Sequence, residues 1–224
     1  MFAIGNLATN VPKLHFWDAT WQVGGFDGRS LTALHDLARA SGDGRRARVT
    51  ETGAGASTIA LLLSGAAEVI SVAPEPELFA RIRAYCAEKD LATGRLESVD
   101  ANSEFHLPIR AARMIAEGDA LDLALIDGGH GWPTVFVDFC FLNAMMRQGG
   151  YLLLDDVQLH SVKELVRLLR QEAGYRLVGP LAGPKTLVFQ KCDGERLLGD
   201  FYQQPYVMEK SHAYEARGNR FAFD

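Results

Sequence analysis

Two stretches of the 224-residue sequence, "LIDGGH" and "LLLDD", each run apolar side chains straight into carboxylates: Asp127 in the first, Asp155 and Asp156 in the second. Carboxylates brought together raise the cost of ionising one another, so a chain that gathers three of them needs a positive partner among them. A hard divalent cation such as Mg²⁺ accepts oxygen ligands of this type and keeps positions for water or a substrate. The two stretches are expected to be neighbouring or near-neighbouring strands that finish at one sheet edge, so that Asp127, Asp155 and Asp156 converge as metal ligands. The pair alone also admits a plainer role, one aspartate capping a helix that begins near Ser161 and the other solvated; convergence with Asp127 weighs against it. His130 returns toward Asp127 through two glycines and can accept a proton near neutral pH. His160, after the pair, is a loop residue of the kind that is more often idle. The remaining histidines, His15, His35, His106 and His212, stand in no comparable context.

A third stretch, "TETGAGAST" (50–58), joins a strand to a helix. Gly53 and Gly55 let the backbone turn sharply and approach a ligand without a Cβ in the way. Ser57 or Thr58 can cap the helix, whose N-terminal amides favour a polar or anionic group. By itself such a turn is equally a structural device. Glu51 before it shifts the balance: a carboxylate there serves a pyrophosphate poorly, and the cationic end of a sulfonium or an amino acid well.

Alternating elements position these groups. Strand patterns at 47–52, 68–73, 94–100, 121–127 and 150–156 alternate with helical ones in "STIALLLSG", "PELFARIRAYCAEKD", "VFVDFCFLNAMM" and "SVKELVRLLRQEAG". The last of these places Val162, Leu165, Val166 and Leu169 on one face. The rhythm predicts an α/β domain with a parallel sheet. After Gly174 it changes: "YRLVG" and "TLVFQ", joined by "PLAGPK", read as a hairpin. The chain divides into an N-terminal extension (1–45), a core (46–191) and a C-terminal extension (192–224). The extensions carry Phe16, Trp17, Trp21, Phe201, Tyr202, Tyr206, Phe221 and Phe223, suited to a lid, a substrate wall or a contact between copies in a homo-oligomer.

The chain is 48% hydrophobic, enough for a full core, and its net charge of −5 provides no basic field for a nucleic-acid backbone. Cys86, Cys140 and Cys192 are scattered and odd in number, which forms neither a disulfide framework nor a CxxC metal site and fits a reducing cytoplasm. No basic segment followed by a long apolar one opens the chain, and no apolar run there is long enough for a bilayer. The expectation is a soluble cytoplasmic protein with no nucleic-acid or membrane partner.

With these motifs in view, the sequence resembles the class I S-adenosylmethionine-dependent methyltransferases. Within them it is similar to the Mg²⁺-dependent small-molecule O-methyltransferases of the catechol and the natural-product sugar and macrolide types. The likeness covers about residues 46–190: the E-x-G-x-G-x-S-T turn, "IDGGH", "GGYLLLDD" and the terminal hairpin. It implies a Rossmann-like seven-stranded sheet, mostly parallel with an antiparallel last strand and helices on both faces. It implies that S-adenosylmethionine meets Glu51, Gly53 and Gly55, with Ser57 and Thr58 opening the helix beneath and Asp100 at the adenine. Asp127, Asp155 and Asp156 would hold Mg²⁺ or another divalent cation, with Asp127 also at the cofactor and, beside His130, at the reacting centre. His130 stands where catechol-type enzymes place a catalytic lysine.

One departure concerns the ribose. The family normally ends its second strand with an acid that binds the ribose hydroxyls, and "VISVAPEPE" has Ala73 there, with Glu75 two residues on. Either Glu75 substitutes, or cofactor affinity is reduced, or the cofactor is not bound in the usual way. The resemblance implies methyl transfer to a hydroxyl oxygen of a small hydroxylated acceptor. Two rivals remain: a nucleotide-dependent oxidoreductase on a similar sheet, against which the missing third glycine speaks, and a non-catalytic interaction protein, which Ala73 favours.

Overall fold

The computed structural model describes residues 2–215, so Phe221 and Phe223 lie outside the described residues. Strand β6 (Leu121–Ile126) is buried at every position, as an apolar run between two helical layers must be. Its side chains alternate: Leu123 and Leu125 enter one core cluster, Ala124 and Ile126 the other. Around it lie β3 (Arg48–Thr52), β4 (Glu68–Val72), β5 (Leu96–Val99), β7 (Met146–Leu154), β8 (Tyr175–Pro180) and β9 (Leu187–Lys191). The order across the seven-stranded sheet is β5-β4-β3-β6-β7-β9-β8. Strands β3 to β7 pair in parallel, and β9, the last in the chain, is antiparallel to both β7 and β8. The expected Rossmann-like sheet with an antiparallel last strand is therefore present, and "PLAGPK" is the turn of the β8–β9 hairpin.

Helices α1 (Ile4–Thr9), α2 (Gly28–Ser41), α3 (Ala56–Leu63) and α4 (Pro76–Glu88) cover one face. Helices α5 (Ser103–Glu117), α6 (Thr134–Met145) and α7 (His160–Leu169) cover the other. Pro76 opens α4 at a position where its missing N–H is not needed. On α7 the buried residues include Val162, Leu165, Val166 and Leu169, as the helical spacing predicts. Helix α5 has no counterpart in the sequence reading. Its buried Leu107, Ala111 and Met114 have helical spacing, but Pro108 lies inside the run and removes a backbone donor.

The N-terminal segment adds a small antiparallel pair, β1 (His15–Trp17) with β2 (Thr20–Gln22), outside the main sheet. The C-terminal segment adds a short 3₁₀ turn and α8 (Pro205–Glu215), tied to α7 by the Tyr206 hydroxyl donating to Glu164 at 2.8 Å. The three thiols are free, Cys86 buried and the other two exposed. No helix among the described residues is long and apolar enough to cross a membrane.

Candidate functional site

Register builds one sheet edge. Thr52 pairs with both Val72 and Ile126, and Ile126 pairs with Leu154. The residues that follow, Gly53, Ala73, Asp127 and Asp155, therefore leave the sheet side by side at its carboxyl edge, where open α/β sheets bind ligands. Gly53 has φ +88°, and a Cβ there would stand 2.4 Å from the Asp127 carbonyl oxygen, so no other residue fits between these strand ends. Above this edge lies a cleft of about 650 Å³, a size suited to a small ligand. The glycine turn (Gly53, Ala54), the Ala73–Glu75 segment and Asn102–Glu104 form part of its wall. Asp127, His130, Asp156 and Lys185 form another part.

The acidic part brings together residues from three loops. The His130 ring lies between two carboxylates, with Nε2 3.9 Å from Asp127 Oδ1 and Nδ1 3.8 Å from Asp156 Oδ2. Its Nε2 is buried and has no hydrogen-bond partner among the described residues. Burial lowers the His130 pKa, opposed by the charges of Asp156 and Asp155, so the ring is neutral near pH 7. Burial raises Asp127 well above the usual carboxylate range, and the adjacent Asp155 raises it further. Asp156 has φ +53°. Burial would raise its pKa, but hydrogen bonds from Lys185 and Gln158 outweigh burial and hold it low.

Asp155 adjoins Asp127 but is not among the three residues whose ligand atoms cluster. It is buried, accepts a hydrogen bond from the Thr186 hydroxyl, and lies 3.1 Å from Lys185 Nζ, which also lies 2.9 Å from Asp156. Neither aspartate caps α7, whose N-cap position is Leu159 and has no side-chain cap. A divalent ion has donors within reach at Asp127, His130 and Asp156, whose nearest ligand atoms all lie within 4.8 Å of one another. Two carboxylates and an imidazole fit Mg²⁺ through the oxygens, and Mn²⁺ or another first-row ion through all three.

The glycine turn differs from its expected role in one respect. Glu51 is fully buried and is absent from the cleft wall; its carboxylate accepts from the hydroxyls of Ser57, Thr58 and Ser71. Burial raises its pKa against the pull of these three donors. Glu51, Ser57 and Thr58 thus brace the turn from below, and Thr58 also accepts the Gly55 amide at 3.0 Å. Glu75 does reach the cleft, but its carboxylate meets the Arg81 guanidinium at 2.6 Å. Asp100 is exposed and outside the cleft wall, two residues before Asn102, which lines it.

Lys185 and His15 are among the cleft residues that sequence reasoning missed. Lys185 lies in the "PLAGPK" turn, and the only sequence signal for it was a lone cation beside a strand that could pair with β7. His15 stands in β1 with its ring against the glycine turn: a Cβ at Gly55, where φ is +156°, would be 2.8 Å from His15 Nε2. Burial lowers the His15 pKa, with Glu75 opposing. The N-terminal extension thus contributes His15, Trp17, Gly24 and Gly25 to the cleft, whereas no described residue of 192–215 lines it.

The strand order and flanking helices match the Rossmann-like methyltransferase fold. Residues 50–157, from the glycine turn through the paired aspartates, match a family described as a methyltransferase domain. A solved structure of a protein from Corynebacterium glutamicum superposes with a TM-score of 0.61 at 17% identity, over 76% of this chain and 84% of that one. A methyltransferase from Geobacter sulfurreducens gives 0.57 at 15% identity, over 75% and 81%. A 16S rRNA methyltransferase from T. thermophilus, bound to AdoMet and guanosine, gives 0.52 at 18% identity, over 76% and 44%. No curated protein matches the sequence significantly.

Proposed function

We propose that the protein transfers a methyl group from S-adenosylmethionine to a hydroxyl oxygen of a small molecule, with a divalent cation at the acidic part of the cleft. One observation carries this reading: a single cleft contains both the unobstructed Gly53 turn and the Asp127–His130–Asp156 cluster. S-adenosylmethionine, when bound, supplies an electrophilic methyl group, and a divalent cation supplies Lewis-acid polarisation that makes a hydroxyl more acidic. Gly53 and Ala54 let the backbone approach the methionine part. Glu75 offers an acceptor to the ribose hydroxyls, and Asn102 and Ser103 offer hydrogen bonds further along the wall.

Asp127 and Asp156 would hold a divalent cation through their oxygens, and His130 Nε2, left free of it, takes the proton of the acceptor hydroxyl. The two carboxylates beside the ring orient it and stabilise the imidazolium it becomes. Enclosure between sheet edge and N-terminal segment holds the acceptor oxygen for transfer, where much of the rate gain is positioning. Residues 1–45 serve as a wall for the acceptor, and Trp17, on the cleft, favours an apolar or ring-bearing molecule. The net charge of −5 gives no support to a nucleic-acid acceptor.

A second, non-catalytic reading is favoured by Ala73 at the ribose position and by the engagement of Glu75 with Arg81. Titration with S-adenosylhomocysteine and turnover of a panel of phenols and sugars separate the two. The expected result is product binding, turnover lost on chelation and restored by Mg²⁺ or Mn²⁺, and a His130→Ala enzyme slowed by about 10² to 10⁴-fold with cofactor binding retained. Absence of S-adenosylhomocysteine binding to the wild type would overturn the methyltransferase reading and leave the partner-binding one.

A further inference from the structure

The acidic cluster already holds a positive charge of the chain's own. Lys185 Nζ lies 2.9 Å from Asp156 Oδ1 and 3.1 Å from Asp155 Oδ2, while the other oxygen of Asp156 faces His130. One carboxylate is thus shared between a tethered ammonium and the donor set that a divalent ion would use. We propose that Lys185 is a resident counter-cation that competes with a divalent metal for this site, so that a metal enters by displacing the ammonium from Asp156. The inference rests on the reading of this cluster as a divalent-cation site.

The surroundings allow the side chain to move and hold the backbone still. The Lys185 carbonyl accepts the Val157 amide at 3.1 Å, the Thr186 hydroxyl donates to Asp155, and Leu187 pairs with Leu154 in the sheet. The side chain is 40% exposed, so rotation about its flexible stem returns the ammonium to water without unravelling the hairpin. On the other side, a Cβ at Gly25 would stand 3.0 Å from Nζ, so the N-terminal loop closes that side and solvent is the open route. A doubly charged ion beside Asp156 repels an ammonium hydrogen-bonded to the same carboxylate and attracts the carboxylate more strongly than one positive charge can. Such an exchange keeps Asp156 paired with a cation in both states. It makes metal affinity a difference between two cations rather than the full attraction of the cluster.

Calorimetric titration of the full chain with Mn²⁺ alone tests this in the wild type, Lys185→Met, Lys185→Arg and Asp156→Asn. The expected result is that Lys185→Met, which keeps the stem and removes the charge, binds Mn²⁺ at least about tenfold more tightly. Lys185→Arg should remain close to wild type, and Asp156→Asn should lose most of the binding. In wild-type protein labelled with ¹³C at lysine Cε, addition of diamagnetic Mg²⁺ should move the Lys185 signal to that of a solvated lysine. This readout stands even if Lys185→Met fails to fold. Equal or weaker Mn²⁺ affinity in folded Lys185→Met, or an unmoved Lys185 signal at saturating Mg²⁺, overturns the competition and leaves the metal site standing. No binding of either ion to the wild type and Lys185→Met overturns the metal reading, and the competition with it.

Discussion

Strand β6 carries an aspartate near each end, and the two ends differ in charge balance. Near its start, Asp122 is fully buried and accepts from Arg45 at 2.9 and 2.6 Å, from Arg147 Nε at 2.6 Å and from the Arg48 amide at 2.8 Å. Arg147 also donates to the Ser41 carbonyl at 2.7 Å, so this one carboxylate ties the end of α2 to β3, β6 and β7. Both of its oxygens are used, one of the Arg contacts is bidentate, and such contacts are the strong ones. Just past the other end, Asp155 and Asp156 share one lysine beside Asp127, and the histidine among them has a buried nitrogen without a hydrogen-bond partner among the described residues. The first cluster is saturated and holds elements together. The second is short of positive charge, and groups held in that condition at a cleft mark functional sites.

The comparison can be broken most severely at Asp122. Asp122→Ala leaves two guanidiniums without their buried partner, and urea unfolding should show a loss of about 3–5 kcal/mol. Affinity for S-adenosylhomocysteine in the folded fraction should not change. A loss under about 1 kcal/mol would place Asp122 with ordinary surface pairs and erase the distinction between the two clusters.

Asp138 on α6 sharpens the contrast, because it is fully buried and neither carboxylate oxygen makes a hydrogen bond of normal geometry among the described residues, the hydroxyls of Ser103 and Thr52 standing only nearby. Burial raises its pKa to about 6, with the hydroxyls of Ser103 and Thr52 pulling it back. The folded state therefore keeps this proton to higher pH than the unfolded chain does. The group's contribution to stability is fully present below the unfolded pKa of 3.8 and is lost as pH rises through about 6. Ionising it in the folded protein costs on the order of 2–3 kcal/mol at neutral pH. Asp138→Asn should recover much of this at pH 7.5, gaining several degrees in Tm, and should flatten the pH dependence of Tm between about pH 4 and 6.5. A loss of stability at pH 7.5 would show that the ionised carboxylate has a partner there.

The smallest expected effect is at Glu75, which lies on the cleft but is half exposed and paired with Arg81. Glu75→Gln should weaken S-adenosylhomocysteine binding about tenfold, near 1.4 kcal/mol, with unfolding free energy changed by less than about 1 kcal/mol. Unchanged binding would mean that nothing has replaced the acid missing at Ala73.

The strand–helix alternation, the β8–β9 hairpin and the convergence of Asp127 with Asp155 were all legible in the sequence. Each rests on a local signal: the length of an apolar run, a helical period, or a carboxylate at the residue where such a run stops. In a parallel sheet, register then carries strand ends to one edge, so residues distant in sequence can be placed together from these local signals. Helix α5 was not legible, because Pro108 interrupts a pattern that the buried Leu107, Ala111 and Met114 nevertheless complete. Where a side chain points was equally hidden. Glu51 reads as a ligand contact, but it turns beneath the glycine turn to three hydroxyls, one of which comes from β4.

The counter-charge of the site also needed tertiary structure. Lys185 reaches Asp155 across 30 residues because β9 inserts antiparallel beside β7. His15 meets Gly55 because a hairpin outside the main sheet folds over its edge. Apolar periodicity is written residue by residue along a chain. Which cation neutralises which carboxylate depends on distances that exist only after distant segments have packed.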